Sequence, residues 1–241
     1  MNYNRSSYLA RRIARKIINE AKTLARPITS RFEPDRFMRK AKGVIHVGAN
    51  TGQERDVYAA HDLNVLWIEP IPEVFKRLND SLKEYPKQRA VCRLVGDQDD
   101  KEYVFHVSSN DGKSSSILGL AEHKEMWPHV SFTNDLRLKS VTLSSLAKDE
   151  KIDWSHYDAL VMDTQGSEML VLKGATDILG RFKFIKTEVA DFESYTGCCQ
   201  LPEMDKFMND HGFRRIAKKR FAHKEGVGSY FDVLYRHARK V

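Results

Sequence analysis

From residue 43 onward, short unbroken apolar runs take turns with stretches whose apolar residues recur every three or four positions. The first kind reads as a buried strand and the second as an amphipathic helix, and their alternation predicts a mostly parallel sheet covered on both faces. The predicted strands are 43–48, 64–69, 89–96, 158–163 and 183–189, with helices over 52–60, 72–84, 167–179 and 202–211. Pro72 falls in the first turn of its helix, where the N–H it lacks has no helical partner to lose. Residues 102–107 read as an additional extended run closed by the turn Asn110-Asp-Gly112, the chain from there to about 136 is irregular, and 213–217 with 229–236 make a terminal antiparallel pair. The expected architecture is an α/β fold, doubly wound around a mostly parallel seven-stranded sheet.

The first 42 residues follow a different pattern. Leu9, Ile13, Ile17, Ala21 and Leu24 recur at helical spacing with Ile18 beside them, while Arg11, Arg12, Arg15, Lys16 and Lys22 point elsewhere. This predicts a short basic amphipathic helix, ended near Pro27, in a leader of residues 1–42 ahead of a domain of residues 43–241. Charge supports the division: the chain carries +7, residues 1–43 hold twelve Lys/Arg against three Asp/Glu, and the remaining 198 residues carry −2. The apolar stripe either packs on its own domain or on a second copy, giving a homo-oligomer. Alternatively residues 8–26 lie on an anionic membrane surface, each basic residue adding about 1 kcal/mol near the headgroups. Nucleic acid is not expected as a partner, because no aromatics are interleaved with these charges and the body is neutral to acidic.

Three cysteines, two of them adjacent at Cys198 and Cys199, provide neither a disulfide framework nor a metal clip, which predicts a reducing, cytoplasmic setting. No apolar stretch approaches the ~20 residues needed to span a bilayer, and no apolar signal core precedes the domain.

The chemistry is concentrated where the first two strands end. Gly43-Val-Ile-His-Val-Gly-Ala-Asn-Thr-Gly52 breaks from an apolar run into a glycine turn, and Val65-Leu-Trp-Ile-Glu69 ends in a carboxylate 21 residues after Gly48. A glycine turn followed by an acid at the next strand tip is the layout that holds a nucleoside, with backbone close to the ligand, free N–H groups at the helix start, and an acceptor for both ribose hydroxyls. Gly48-Ala-Asn-Thr-Gly52 lacks the middle glycine that a pyrophosphate requires, which favours S-adenosylmethionine (SAM) over NAD. Through these residues, with Trp67-Ile-Glu-Pro70, Gly96-Asp97, Ser114-Ser-Ser116 and Asp163-Thr-Gln-Gly-Ser-Glu168, the chain resembles the FkbM-type SAM-dependent methyltransferases over roughly residues 43–215. The resemblance implies a class I, Rossmann-like methyltransferase fold, SAM as cofactor, and transfer of the methyl group to a hydroxyl, commonly of a sugar residue in a glycan, glycolipid or glycosylated metabolite.

Placing ligands at the carboxyl ends of the strands brings four acids to one edge: Glu69, Asp97, Asp163 and Glu188. The expected cofactor contacts are His46, Gly48, Ala49, Asn50, Gly52, Glu69, Pro70, Asp97, Ser115 and Asp163. Within that set Glu69 takes the ribose and Asp97 the adenine amino group. The alternative for Asp97 is an ordinary turn residue in the acidic cluster 97–100. Asp163 closes the very apolar run 159–162, where an unused charge would be costly, and the resemblance assigns it to the cofactor and substrate side. Asp163, Glu188 and Glu168 are the candidate catalytic residues. Glu188 can remove the acceptor's proton or pair with a lysine, and Glu168 can instead stabilise its helix dipole. His46 stands where the resemblance leads one to expect an acid, and Gln165 where it leads one to expect glutamate; no metal site is expected.

Two loops are candidates for choosing the acceptor: the hydroxyl-rich segment 108–116 and the segment 192–200, which mixes aromatic and polar groups. His123, Trp127, Pro128 and His129 can form a lid or a packed excursion. Three rival functions share parts of this layout: an NAD-dependent dehydrogenase, a methyltransferase of RNA or protein, and a non-catalytic nucleotide-binding or scaffold module.

Overall fold

The first strand, β1 (Gly43–Val47), is buried along its whole length, as an unbroken apolar run requires when both faces of its sheet are covered. The computed structural model describes residues 33–239, so the predicted helix at 8–26 lies outside the described residues. The other strands are β2 (Asn64–Ile68), β3 (Gln88–Val91), β4 (Leu94–Gly96), β5 (Glu102–Ser108), β6 (Phe132–Thr142), β7 (Ala159–Met162), β8 (Phe184–Ala190), β9 (Phe213–Lys224) and β10 (Gly228–His237). Seven of them form one sheet in the order β3-β2-β1-β7-β8-β10-β9, parallel except for β10, which runs against both its neighbours. The expected fold class is therefore correct. From β1 the chain winds outward through β2 and β3, then returns to β7 and winds the other way, so the connections diverge where β1 and β7 lie side by side. That divergence opens the crevice in which doubly wound sheets bind ligands.

Strand alternation sorts the core into two layers. Ile45, Leu66, Leu160 and Ile185 face helices α4 (Leu143–Asp149), α5 (Glu168–Lys173) and α6 (Leu201–Asp210). Val44, Val65, Trp67, Val161 and Leu234 face α1 (Arg55–Ala60), α2 (Pro72–Ser81) and a 3₁₀ turn, Pro34–Arg39, whose Phe37 and Met38 are buried on the sheet. Trp67 is fully buried, and its indole N–H donates to Gln88 Oε1 at 3.0 Å, so the largest side chain of this layer is enclosed without an unpaired donor. Among the described residues no helix is long and apolar enough to cross a membrane.

Several predicted boundaries shift for identifiable reasons. The run 89–96 splits at Cys92-Arg93: β3 completes the main sheet, while β4 peels away to pair with β6 in a second sheet of order β4-β6-β5. The segment read as irregular contains the short helix α3 (His123–Met126) and the eleven-residue β6, in which Leu136 and Leu138 alternate with charged neighbours and pack near Phe105. Helix α4 follows at once, its first turn capped by Thr142 Oγ1 accepting from Ser145 N at 3.1 Å. Predicted helix 167–179 ends after Lys173, where a Cβ on Gly174 would stand 2.1 Å from Gly96 O; the chain goes on as turns and the 3₁₀ segment Leu179–Arg181.

Candidate functional site

At the switch point Gly48 leaves β1 with φ +81°, and a Cβ there would stand 1.9 Å from the carbonyl oxygen of Asp163. Only glycine lets the tips of β1 and β7 approach so closely. Beyond it the turn closes on itself. Gly48 N and Ala49 N donate to Ile68 O, Asn50 N to Glu69, Thr51 N to Asn50 Oδ1, and Gly52 N to Ala49 O. Helix α1 begins only at Arg55. The N–H groups of residues 48–52 are therefore all taken up by protein acceptors, in the turn itself and at the tip of β2, which leaves that stretch without a cradle for a pyrophosphate. Gly52 is likewise not a lining residue: its φ of +68° and a Leu78 methyl 2.7 Å from where a Cβ would stand mark it as a turn former.

A cavity of about 300 Å³ opens beside this turn, lined at one end by Gly48, Ala49, Asn50, Glu69, Pro70, Ile71, Leu94 and Val95. That volume lies at the small end of ligand sites. Glu69 is 4% exposed, and its two oxygens accept from Asn50 N (2.8 Å) and Ile71 N (2.9 Å). Each oxygen keeps a second lone pair for a ligand, and the two backbone bonds hold the carboxylate in one orientation. Burial pushes Glu69 up to about 7, against the pull of those two N–H groups and the more distant Arg77.

Asp163 and Glu188 line the middle of the cavity with Glu54, an acid that the sequence pattern does not single out. All three are pushed above the ordinary carboxylate range, chiefly by burial: Asp163, to about 7, with help from Glu168 and Glu54; Glu188, well above its usual value, with help from Asp163, Asp232 and Glu168; and Glu54 with help from Asp35. Packing like charges in a partly dry crevice disfavours ionisation, so Asp163 holds an exchangeable proton near neutral pH. Asp163 accepts from Gln165 Nε2, while the other end of that amide accepts from the Tyr195 hydroxyl at 2.7 Å and the Gln165 carbonyl accepts from Ser116 Oγ at 2.8 Å. A glutamate at 165 could not donate to Asp163; the amide can do both jobs, which accounts physically for this departure from the expected residue.

The remaining candidates fall into two groups. His46 lines the cavity yet is 4% exposed, hydrogen-bonded through Nδ1 to the Tyr58 hydroxyl at 3.1 Å and stacked on Trp67 at 4.8 Å. Burial, then the Lys186 ammonium, bring it down to about 3, so it is a neutral near-core group rather than a charged contact. Ser115 lines the cavity, its Oγ accepting from Ser108 N at 2.9 Å, and Asn50 Nδ2 donates to Asp111 O at 3.1 Å, which ties the 108–116 loop across the glycine turn.

Asp97 and Glu168 do not reach the cavity. Asp97 turns toward Tyr103, whose hydroxyl donates to it at 2.8 Å, and toward Lys101; burial would raise its pKa, but these two partners outweigh it and leave it lowered. The break between β3 and β4 carries Asp97 away from the main sheet, and Leu94 and Val95 line the wall in its place. Glu168 Oε1 accepts from Thr164 N (2.8 Å) and Gly166 N (3.2 Å), so it shapes the turn between β7 and α5. The 192–200 loop also supports from behind: Tyr195 is 1% exposed, and the end of the cavity away from Glu69 is lined instead by His123, Trp127, His129, Phe221 and Tyr230. Trp127 and the two histidines lie in the predicted lid. The only sequence signal for Phe221 is that it is an aromatic residue beside the basic run 214–220. Among the described residues no cluster of three or more His, Cys, Asp or Glu side chains could hold a metal ion.

The chain is similar to several known proteins. A 2-O-methyltransferase, NoeI, of Sinorhizobium fredii is 25% identical over 167 residues, 66% of this chain and 67% of its own. Among solved structures, the trans-methyltransferase CalH in complex with SAH matches with a TM-score of 0.48 at 11% identity, over 84% of this chain and 53% of CalH. The magnesium protoporphyrin IX methyltransferase ChlM of Synechocystis PCC 6803, with bound SAM, matches with a TM-score of 0.40 at 9% identity, over 79% and 68%. The Methyltransferase FkbM domain matches residues 46–215, from the strand that delivers Gly48 to the start of the terminal hairpin, and the chain belongs to that family of methyltransferases.

Proposed function

We propose that this protein is a SAM-dependent O-methyltransferase whose acceptor is a sugar hydroxyl in a glycan, glycolipid or glycosylated metabolite. The observation that carries the cofactor reading is Glu69, held by two backbone N–H groups at the tip of β2 with its remaining lone pairs available. Those lone pairs suit the two hydroxyls of a ribose. The apolar wall of Ile71, Leu94, Val95 and Phe105 suits an adenine, and the acids Glu54 and Asp163 suit the ammonium and sulfonium charges of the methionine portion. The closed N–H groups of residues 48–52 speak against a dinucleotide, whose pyrophosphate needs them.

When bound, SAM supplies a methyl group on a positively charged sulfur, so the acceptor needs alignment and removal of its proton. Glu188, two residues before the end of β8, is placed to accept that proton in its ionised form, which a sulfonium charge bound beside it would favour. Asp163 faces the same space and is oriented by Gln165. Glu168 acts on this geometry by holding the turn that carries Asp163. Support for oxygen as the methylated atom comes from the similarity to a 2-O-methyltransferase.

Calorimetry with SAM, its demethylated product SAH and NADH tests the cofactor. Heat with the first two and none with NADH is expected, and the reverse pattern refutes the reading. Glycans from cells with and without the protein should differ by one methyl group in mass spectrometry. Turnover on RNA or protein, with none on glycans, would show the acceptor to be wrong.

A further inference from the structure

Phe221 is 43% exposed, one of three large apolar side chains so exposed among the described residues. It stands in the outer strand β9, whose residues 213–224 contain six Lys/Arg and no acid. The pairing of β9 with β10 skips it: Ala222 pairs with Tyr230 and Arg220 with Phe231. Phe221 is thus the extra residue of a β-bulge, and together with Ala222 it opposes Tyr230. Bulges next to binding sites commonly re-aim a side chain, and this one lines the cavity mouth.

We infer that Trp127, Tyr230 and Phe221 form a stacking platform for the sugar ring of the acceptor, with Phe221 as the residue that selects it. This rests on the reading of the cavity as a sugar O-methyltransferase site and names where in it the sugar is held. Tyr230 lies 5.1 Å from Trp127 and 5.8 Å from Phe221, ring centre to ring centre, and Phe192 backs Tyr230 edge-on at 5.1 Å. Trp127 and Phe221 are tilted from Tyr230 by 55° and 34°. All three line the cavity, so apolar ring surface is available there to the C–H face of a sugar ring. The β10–β8 register pairs Asp232 with Glu188, two residues along from Tyr230, so the platform adjoins the carboxylate proposed to take the acceptor's proton.

A polar group waits at the same end. His123 is 2% exposed, lines the cavity between Trp127 and Tyr195, and its buried Nδ1 has no hydrogen-bond partner. Leaving such an atom unpaired is costly, and a sugar hydroxyl at the edge of the stacked ring would satisfy it. Packing alone explains Trp127 and Tyr230, but it gives no reason for an exposed phenyl ring beside them.

The test uses the full chain, saturated with SAH, in saturation-transfer NMR against methyl hexopyranosides, methyl 6-deoxyhexopyranosides and, as a planar control, catechol. Irradiating the aromatic envelope should mark ring C–H protons of at least one glycoside. Phe221→Ala should weaken that glycoside roughly 2- to 12-fold, the range of a single aromatic contact. SAH affinity should stay the same, and Phe221→Trp should restore binding. Wild-type affinity in both Phe221→Ala and Trp127→Ala overturns the platform, as does signal from catechol alone. SAH binding with every glycoside silent overturns the platform and leaves the cofactor reading standing; absence of SAH binding to the wild type removes that reading and the platform with it.

Discussion

The two ends of the cavity are built in opposite ways. At the Glu69 end, the N–H groups of residues 48–52 all have protein acceptors and the carboxylate is clamped from both sides before any ligand arrives. At the Trp127 end, a phenyl ring is exposed and a buried histidine nitrogen behind Trp127 has no protein partner. The closed end suits a ligand that never changes, since preorganisation removes the ordering cost at each binding event. The open end leaves contacts to be completed by the acceptor, which is where members of one family can differ while sharing the same chemistry.

If the closed end is rigid because backbone meets backbone there, Gly48→Ala should have the largest effect. A methyl 1.9 Å from Asp163 O at φ +81° combines steric overlap with left-handed strain, for an expected loss of about 3 kcal/mol or more in denaturant unfolding. A variant with unchanged stability would show that the two strand tips can move apart. Next in size, Glu69→Ala should weaken SAM by about 3 kcal/mol, on the order of 100-fold in calorimetry, because it removes two charged hydrogen bonds and orphans two buried N–H groups. Equal loss of glycoside binding in that variant would show the ends to be coupled rather than separate.

Asp163→Asn separates function from stability. Asp163 is raised from 3.8 to about 7 in the folded protein, so between those values the folded state holds the proton more tightly than the unfolded one. Stability from this group therefore falls as pH rises across that window, and stays lower above it. The asparagine variant should gain melting temperature relative to wild type as pH rises from 4 to 8, while methyl transfer falls at least about tenfold. Wild-type turnover should itself increase with pH through about 7. A melting-temperature difference independent of pH would mean that Asp163 is already ionised. The smallest effect belongs to a site remote from both ends: Thr142→Ala removes the cap of α4 and should lower stability by about 1 kcal/mol with cofactor and acceptor affinities unchanged.

How much of this is legible depends on distance along the chain. Gly48, Asn50, Glu69 and Asp163 can be read as a site because each ends an apolar run or follows directly on one, and doubly wound topology brings such ends together. Asp97 is misplaced by the sequence because 89–96 looks like one strand; nothing local reveals that Cys92-Arg93 is where the chain changes sheets. Strand β6 escapes a reading by pattern although Leu136 and Leu138 alternate with polar neighbours, since a half-buried strand leaves a weaker trace than a fully buried one. Glu168 does sit in the first helical turn as expected, yet its oxygen serves the N–H groups of Thr164 and Gly166 rather than a ligand.

Hydrophobic periodicity and one glycine-to-acid spacing were sufficient to determine the mostly parallel main sheet, its winding and the strand tips that line the cavity, because these follow from local conformation and from burying apolar runs. Tertiary structure alone decided that Phe221, some 94 residues from Trp127, shares a surface with it, that Glu54 joins the acidic wall, and that the turn spends its own N–H groups. Such features depend on which strands become neighbours and on where a ladder skips a residue, and those outcomes are set by the packing of the whole chain rather than by any segment of it.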